Sequence, residues 1–175
     1  MEQDVDSTVA LALPRTLGSL GLLQYRNLAW GAAAPAVQKE LRKARFFVVD
    51  TTQYGDGVFQ GEPVHGRTVV LRAGMAEGGL QKINLEIFTD EGDAAVVFDS
   101  VKTDLSVRYG APMDTLTADK ATEQVGELTP QLIWGGPRHG SATELSLEVT
   151  TRHTVSLSFE GPLWTAEADR RERKQ

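Results

Sequence analysis

The chain has 175 residues, with 18 Lys and Arg against 24 Asp and Glu, a net charge of −6, three histidines and no cysteine. This length holds one domain, or two half-size units sharing a sheet, with room for a sizeable core. The charge balance excludes nucleic acid as the main partner, because phosphate backbones are held by clustered Lys and Arg. The lack of cysteine excludes disulfides, thiolate nucleophiles and Cys-ligated metals.

No run of 18 apolar residues occurs, so no transmembrane helix is expected. Residues 1–6 are acidic where an export signal is basic, and the apolar stretch 9–13 stops at Pro14. No targeting segment is therefore expected, and the cytoplasm is the default compartment. Residues 1–27 read as an irregular packed segment, because Leu17, Leu20, Leu22 and Leu23 are interrupted by Gly18 and Gly21.

Trp30-Gly31 then leads to a short amphipathic helix over 34–45. Pro35 suits the first turn, where its missing N–H would have no partner, and Val37, Leu41 and Ala44 share one face. Residues 46–52 are rich in β-branched and aromatic side chains and predict a strand, and Asp56-Gly57 marks a turn. Residues 68–72 and 80–88 predict two more strands, joined through Glu77-Gly78-Gly79. In the second, Ile83, Leu85 and Ile87 alternate with Lys82, Asn84 and Glu86, the pattern of a sheet buried on one face only.

From Asp93 onward, Ala94, Phe98, Val101, Leu105 and Tyr109 recur at helical spacing and predict a helix over 92–109. Asp90, Glu91 and Asp93 favour its N-terminus, Gly110 suits a left-handed C-terminal position and Pro112 stops it. Residues 131–134 predict a short strand entering the Gly-rich loop 135–140. Residues 143–149 and 154–160 alternate as a hairpin across a short loop. Residues 163–175 form a charged tail, helical where ordered.

The two halves share a plan of a helix, a variable strand region and an alternating hairpin, with 68–88 answering to 143–160. A tandem repeat over 28–90 and 91–162 competes with an ordinary α+β domain over 28–162. The expected fold is α+β, an antiparallel sheet covered on one face by two helices.

Trp30-Gly31 with Val37, Leu41 and Phe46 resembles the helix entry of small bacterial envelope proteins of the BamE/SmpA-like and β-lactamase-inhibitor-protein-like types. The passage Leu80, Ile83, Ile87-Phe88, Phe98, Leu105 and Arg108-Tyr109-Gly110-Ala111-Pro112 is similar to the strand–helix run of such chains. The resemblance covers residues 28–160 and departs from the family in lacking a lipid-anchoring Cys. It implies an envelope or periplasmic setting and a role in protein binding or assembly, and it supplies no active-site residues.

The residues carry little chemistry. His65, His139 and His153 lack metal-ligand spacing and sit in turns, so no metal, cofactor or catalytic residue is expected. Arg138 and His139 in the Gly-rich loop offer an anion or partner contact through backbone N–H groups. Glu86, Glu144, Glu148 and Glu160 fall on polar strand faces and read as hydrated rather than as an acid/base pair. Trp30, Trp134 and Trp164, each near Gly or Pro, are either plugs at core edges or partner anchors. The basic tail 170–174 is either a solvated end or a contact for an acidic surface or lipid head groups at the membrane periphery. The expected function is a non-catalytic protein-binding or assembly module, an accessory subunit of a larger complex. The alternatives are a carrier of a small apolar ligand lined by Phe88, Phe98 and Trp134, and a small hydrolase or isomerase using one carboxylate or His139.

Overall fold

A computed structural model describes residues 23–64, 67–116, 130–151 and 153–174. Its centre is one eight-stranded, wholly antiparallel sheet. In chain order the elements are α1 (Ala34–Lys43), β1 (Phe46–Thr51), β2 (Gly57–Val64), β3 (Arg67–Ala76), β4 (Gly79–Phe88) and α2 (Ala94–Tyr109). There follow β5 (Asp114–Leu116), β6 (Gln131–Gly135), a 3₁₀ turn (Pro137–His139), β7 (Glu144–Thr151), β8 (Thr154–Glu160) and α3 (Trp164–Glu172). The spatial order β1-β2-β3-β4-β8-β7-β6-β5 makes two meanders that meet at β4 and β8. The fold is mixed α+β, with three α-helices among the described residues.

Register explains why one face is dry. Leu71, Leu85, Leu157, Leu147 and Leu132 lie side by side across β3, β4, β8, β7 and β6. The next row is Ala73, Ile83, Phe159, Leu145 and Trp134. All ten are buried, and they join Val37 and Leu41 of α1 and Val97, Phe98, Val101, Leu105 and Tyr109 of α2 in one core cluster. Since strand side chains alternate, each residue between these faces the other way.

α2 begins at Ala94, two residues after the predicted start, with Asp93 as an N-cap whose side chain makes no capping bond. Asp93 instead lies 3.7 Å from Arg67. Gly110 has φ +82° and ψ −173°, an extended mirror-image conformation rather than the expected left-handed helical one, and equally closed to most side chains.

Two strands were not predicted. In β2 the inward positions are Phe59 and two glycines, and a side chain on Gly61 would meet the Phe46 ring at 2.8 Å. β5 has only three residues. Of the expected irregular segment 1–27, residues 1–22 lie outside the described residues; Leu23 and Tyr25 are fully buried in the core, and burial pushes the Tyr25 phenol upward. Gly31 N–H donates to Leu80 and Leu80 N–H to Ala32, a bridge so close that a side chain on Gly79 would sit 2.7 Å from the Gly31 backbone.

The period of two also breaks once in β4, where Leu80 and Ile83 are both buried although three residues apart. A register shift opposite Gly74 and Met75 absorbs Gln81. Its buried amide oxygen accepts from Leu163 N–H at 2.9 Å, which ties the entrance of α3 to β4.

Candidate functional site

The second face of the sheet carries the polar side chains. One row runs Val58, Arg72, Asn84, Ser158, Ser146, Ile133, Asp114 from β2 to β5. On one side of it lies Gly74, Lys82, Glu160, Glu144, and on the other Gln60, Val70, Glu86, Ser156, Glu148. The middle of this surface is sheltered. Ser156 and Ser158, on β8, are 6% and 7% exposed. Asn84 Nδ2 donates to Ser156 Oγ at 2.8 Å, whereas the buried Ser158 Oγ has no hydrogen-bond partner among the described residues.

α3 meets this face at the Gly74–Lys82 end. The Trp164 ring lies on the backbone of Gly74, where any side chain would approach it to 2.7 Å. Lys82 Nζ is 5.1 Å and Arg171 Cζ 5.0 Å from the ring centroid, within range of cation–π attraction. Lys82 Nζ also pairs with Glu160 at 3.0 Å.

Arg171 holds the helix in place. Its guanidinium donates to both oxygens of Asp56 at 2.6 and 2.9 Å, to Glu167 Oε1 at 2.7 Å and to the Met75 carbonyl at 2.7 Å. Asp56 completes the knot by accepting from Met75 N–H at 2.8 Å, and the Tyr54 ring stacks 4.4 Å from the guanidinium carbon. Arg170 and Arg171 together hold Glu167 at a pKa of about 2 by hydrogen bonding, and the bonds to Asp56 lead in driving Arg171 upward. The tail is therefore no free solvated end. Residues 164–172 are helical, and Arg171 is 12% exposed at its side chain.

Between α3 and the strands lies an open cleft of about 490 Å³, lined by Thr52, Arg72, Lys82, Asn84, Glu86 and Ser156 among others. Across β8 the surface becomes acidic. Glu144 stands directly opposite Glu160, and its pKa is raised by desolvation first, then by Glu160 and Asp114. Glu148 is raised by desolvation, with Lys82 opposing. These two carboxylates are less hydrated than their alternating pattern suggested. No group of three His, Asp or Glu side chains able to hold a metal occurs among the described residues.

The residues singled out from sequence do not gather. Trp134 is fully buried, with its indole N–H donating to Gly110 O at 2.9 Å, and it is out of reach of a partner. Trp30 lies over Gly161 and donates to Leu23 O at 3.0 Å, strapping the leading segment down. Trp164 alone of the three lies on the polar face, in the wall of the cleft. In the Gly-rich loop, the N–H groups of Gly136, His139, Gly140 and Ser141 all donate to carbonyls within residues 136–143, so they do not converge on an anion. Arg138 is exposed, and His139 Nε2 lies 2.8 Å from Asp114 Oδ2. His153 is exposed in the β7–β8 turn, and His65 lies outside the described residues. Phe98 faces the core while Phe88 is 39% exposed on the other side of the sheet, so Phe88, Phe98 and Trp134 enclose no common cavity. No helix among the described residues is long and apolar enough to cross a membrane.

The residue that sequence reading missed is Arg171. Its partner Asp56 is 115 residues away, and nothing local distinguishes this arginine from its charged neighbours.

Comparison with known proteins finds no matching family, no similar curated protein and no similar solved structure.

Proposed function

We propose that the chain is a non-catalytic protein-binding module, an accessory subunit that meets its partner with the polar face of the sheet. In this reading α1 and α2 both lie on the apolar face, and the part of the opposite face that α3 does not meet is left for recognition. The chain is then a duplicated unit of one helix and four strands. The strand order supports this, because α1 precedes β1–β4, α2 precedes β5–β8, and the two meanders join last strand to last strand. The resemblance to small envelope proteins of the assembly type implies the same role.

The observation that carries the proposal is the breadth of the polar face. Three registered rows, mostly of polar side chains, cross β3, β4, β8 and β7, and the central serines lie low among them. Such a surface suits a protein partner, since binding draws on shape, hydrogen bonds and excluded water over many residues. The test is capture of a partner from the native source by the immobilised chain, repeated with Ser146→Arg plus Glu148→Arg. A stoichiometric partner lost in the double variant supports the proposal. A partner retained equally by both, or none at all, rejects it.

The cleft beside Trp164 favours a second reading, a carrier of a small ligand. Its lining of Arg72, Lys82, Asn84, Glu86 and Ser156 selects a polar ligand over the apolar one expected from sequence. Native mass spectrometry of the freshly isolated protein, with Asn84→Leu as control, separates the two readings.

A further inference from the structure

Charge is unevenly matched on the polar face. Four carboxylates stand on it, Glu86 of β4, Glu144 and Glu148 of β7, and Glu160 of β8. Among the described residues only Glu160 is bonded to a cation, Lys82 at 3.0 Å. Register sets Glu86, Ser156 and Glu148 side by side across β4, β8 and β7. At about 4.8 Å per strand, the two carboxylates flank Ser156 with their backbones about 10 Å apart. Arg72, opposite Asn84 on β3, is exposed and makes no ion pair with Glu86. The floor between the carboxylates adds a second, independent feature. Ser158, two residues from Ser156 on the same face, is 7% exposed, and its Oγ has no hydrogen-bond partner among the described residues. A buried hydroxyl in that state costs stability until a group of suitable chemistry meets it. The Asn84 amide spends its Nδ2 donor on Ser156, which leaves Oδ1 as a further acceptor. Asn84, Glu86 and Ser156 all line the open cleft beside Trp164, so the spot has an entrance.

We propose that the partner's contact at this spot is an arginine side chain, seated over Ser156 and Ser158 between Glu86 and Glu148. The proposal rests on the reading of the chain as a protein-binding module and names the chemistry that its partner presents. Charge complementarity selects the occupant. Glu86, Glu148 and Asn84 Oδ1 only accept hydrogen bonds, Ser158 Oγ is free to accept one, and the two carboxylates are without a bonded cation. An anion is repelled there. A guanidinium carries five N–H donors in a fixed fork and suits acceptors spread over three strands, whereas an ammonium is a point charge. A metal ion is not served, since no group of three His, Asp or Glu able to hold one occurs among the described residues. Glu148 is already desolvated enough to raise its pKa against the opposing pull of Lys82, and an arriving cation relieves that cost.

The test is an NMR titration of the isotope-labelled chain at low salt with acetyl-Gly-Arg-Gly-amide, set against the same peptide carrying citrulline, which keeps the shape and removes the charge. The expected result is saturable movement of the Ser156 and Ser158 amide signals and of the Glu86 and Glu148 carboxyl signals, with a Kd of about 1 mM. The citrulline peptide should move none of them. The Kd should rise at least about tenfold in Glu86→Gln plus Glu148→Gln. It should rise about fivefold in Ser158→Ala, which deletes a hydroxyl without a partner and so keeps the fold, as far-UV circular dichroism checks. Absence of saturable movement, equal binding of the citrulline peptide, or a double variant that binds as the original does overturns the proposal. The broader reading is judged separately by capture from the native source. A partner held equally by Glu86→Gln plus Glu148→Gln but lost in Ser146→Arg plus Glu148→Arg overturns the arginine contact and keeps the binding module. Saturable arginine binding with no captured partner supports the site and rejects the module.

Discussion

The two faces of the sheet are written in the same strands, one residue after the other, and are held by different forces. On the apolar face, Leu85, Leu157, Leu147, Ile83, Phe159, Leu145 and Trp134 fit together in a single cluster with side chains of α1 and α2. There, stability comes from removing surface from water and depends on volume. On the polar face, order is concentrated at one end, where Arg171 joins Asp56, Glu167 and the Met75 carbonyl. Toward β7 the same face has opposed carboxylates, Glu144 and Glu160, of which Glu160 is bonded to Lys82 and Glu144 has its pKa raised. Alternation alone sets which side is wet. It does not set which wet residues are structural.

The largest effects are expected on the dry side. Phe159→Ala removes a fully buried ring that touches Tyr25 at 5.8 Å between centroids, and should cost about 3–5 kcal/mol in urea unfolding. Next comes Arg171→Ala, which takes the guanidinium from Asp56, 13% exposed, and leaves Glu167, 9% exposed, to Arg170 alone. Its expected cost is about 2–4 kcal/mol, with α3 released as judged by helical circular dichroism and Trp164 fluorescence. If Arg171→Ala proves silent, the polar face has no structural end and the contrast fails.

Much of the dry face was legible in the sequence, and the reasons are visible in particular residues. β4, β7 and β8 announce themselves because Ile83, Leu85, Ile87, Leu145, Leu147, Val155, Leu157 and Phe159 alternate with polar residues in the sequence. α2 was legible because its six buried residues follow helical spacing. β2 was not, because its contribution to the core is partly the absence of side chains, with Gly61 making room for Phe46. The candidate site was hardly legible at all. Its fixed end depends on a turn carboxylate meeting an arginine of the tail, and the tryptophan that matters lies on a glycine 90 positions earlier in the chain, a distance given by 164 and 74. Pairing across such separations leaves no periodic trace.

Smaller effects on the polar face differ in sign. Glu167 has a pKa of about 2 against an ordinary 4.5, so the folded chain releases this proton more readily than the unfolded one. Its contribution is complete above pH 4.5 and is lost as the pH falls through about 2. Glu144 and Glu148 are shifted upward, so the folded chain takes up their protons first and their ionisation costs stability at neutral pH. Glu144→Gln should therefore stabilise the protein at pH 7 by a few tenths of a kcal/mol, with the gain fading in acid. Glu167→Gln should flatten the acid limb between pH 4.5 and 2 in denaturant titrations run at a series of pH values.

The seam between β4 and β8 has a consequence for how copies of the chain meet during folding. Neighbours along each meander are close in sequence, but Lys82 and Glu160, bonded across the seam, are 78 residues apart. The first meander can thus be complete while its last strand still awaits a mate. At high concentration that mate can come from another molecule, which gives an exchanged dimer locked by a full strand ladder. Such a species would separate only by unfolding.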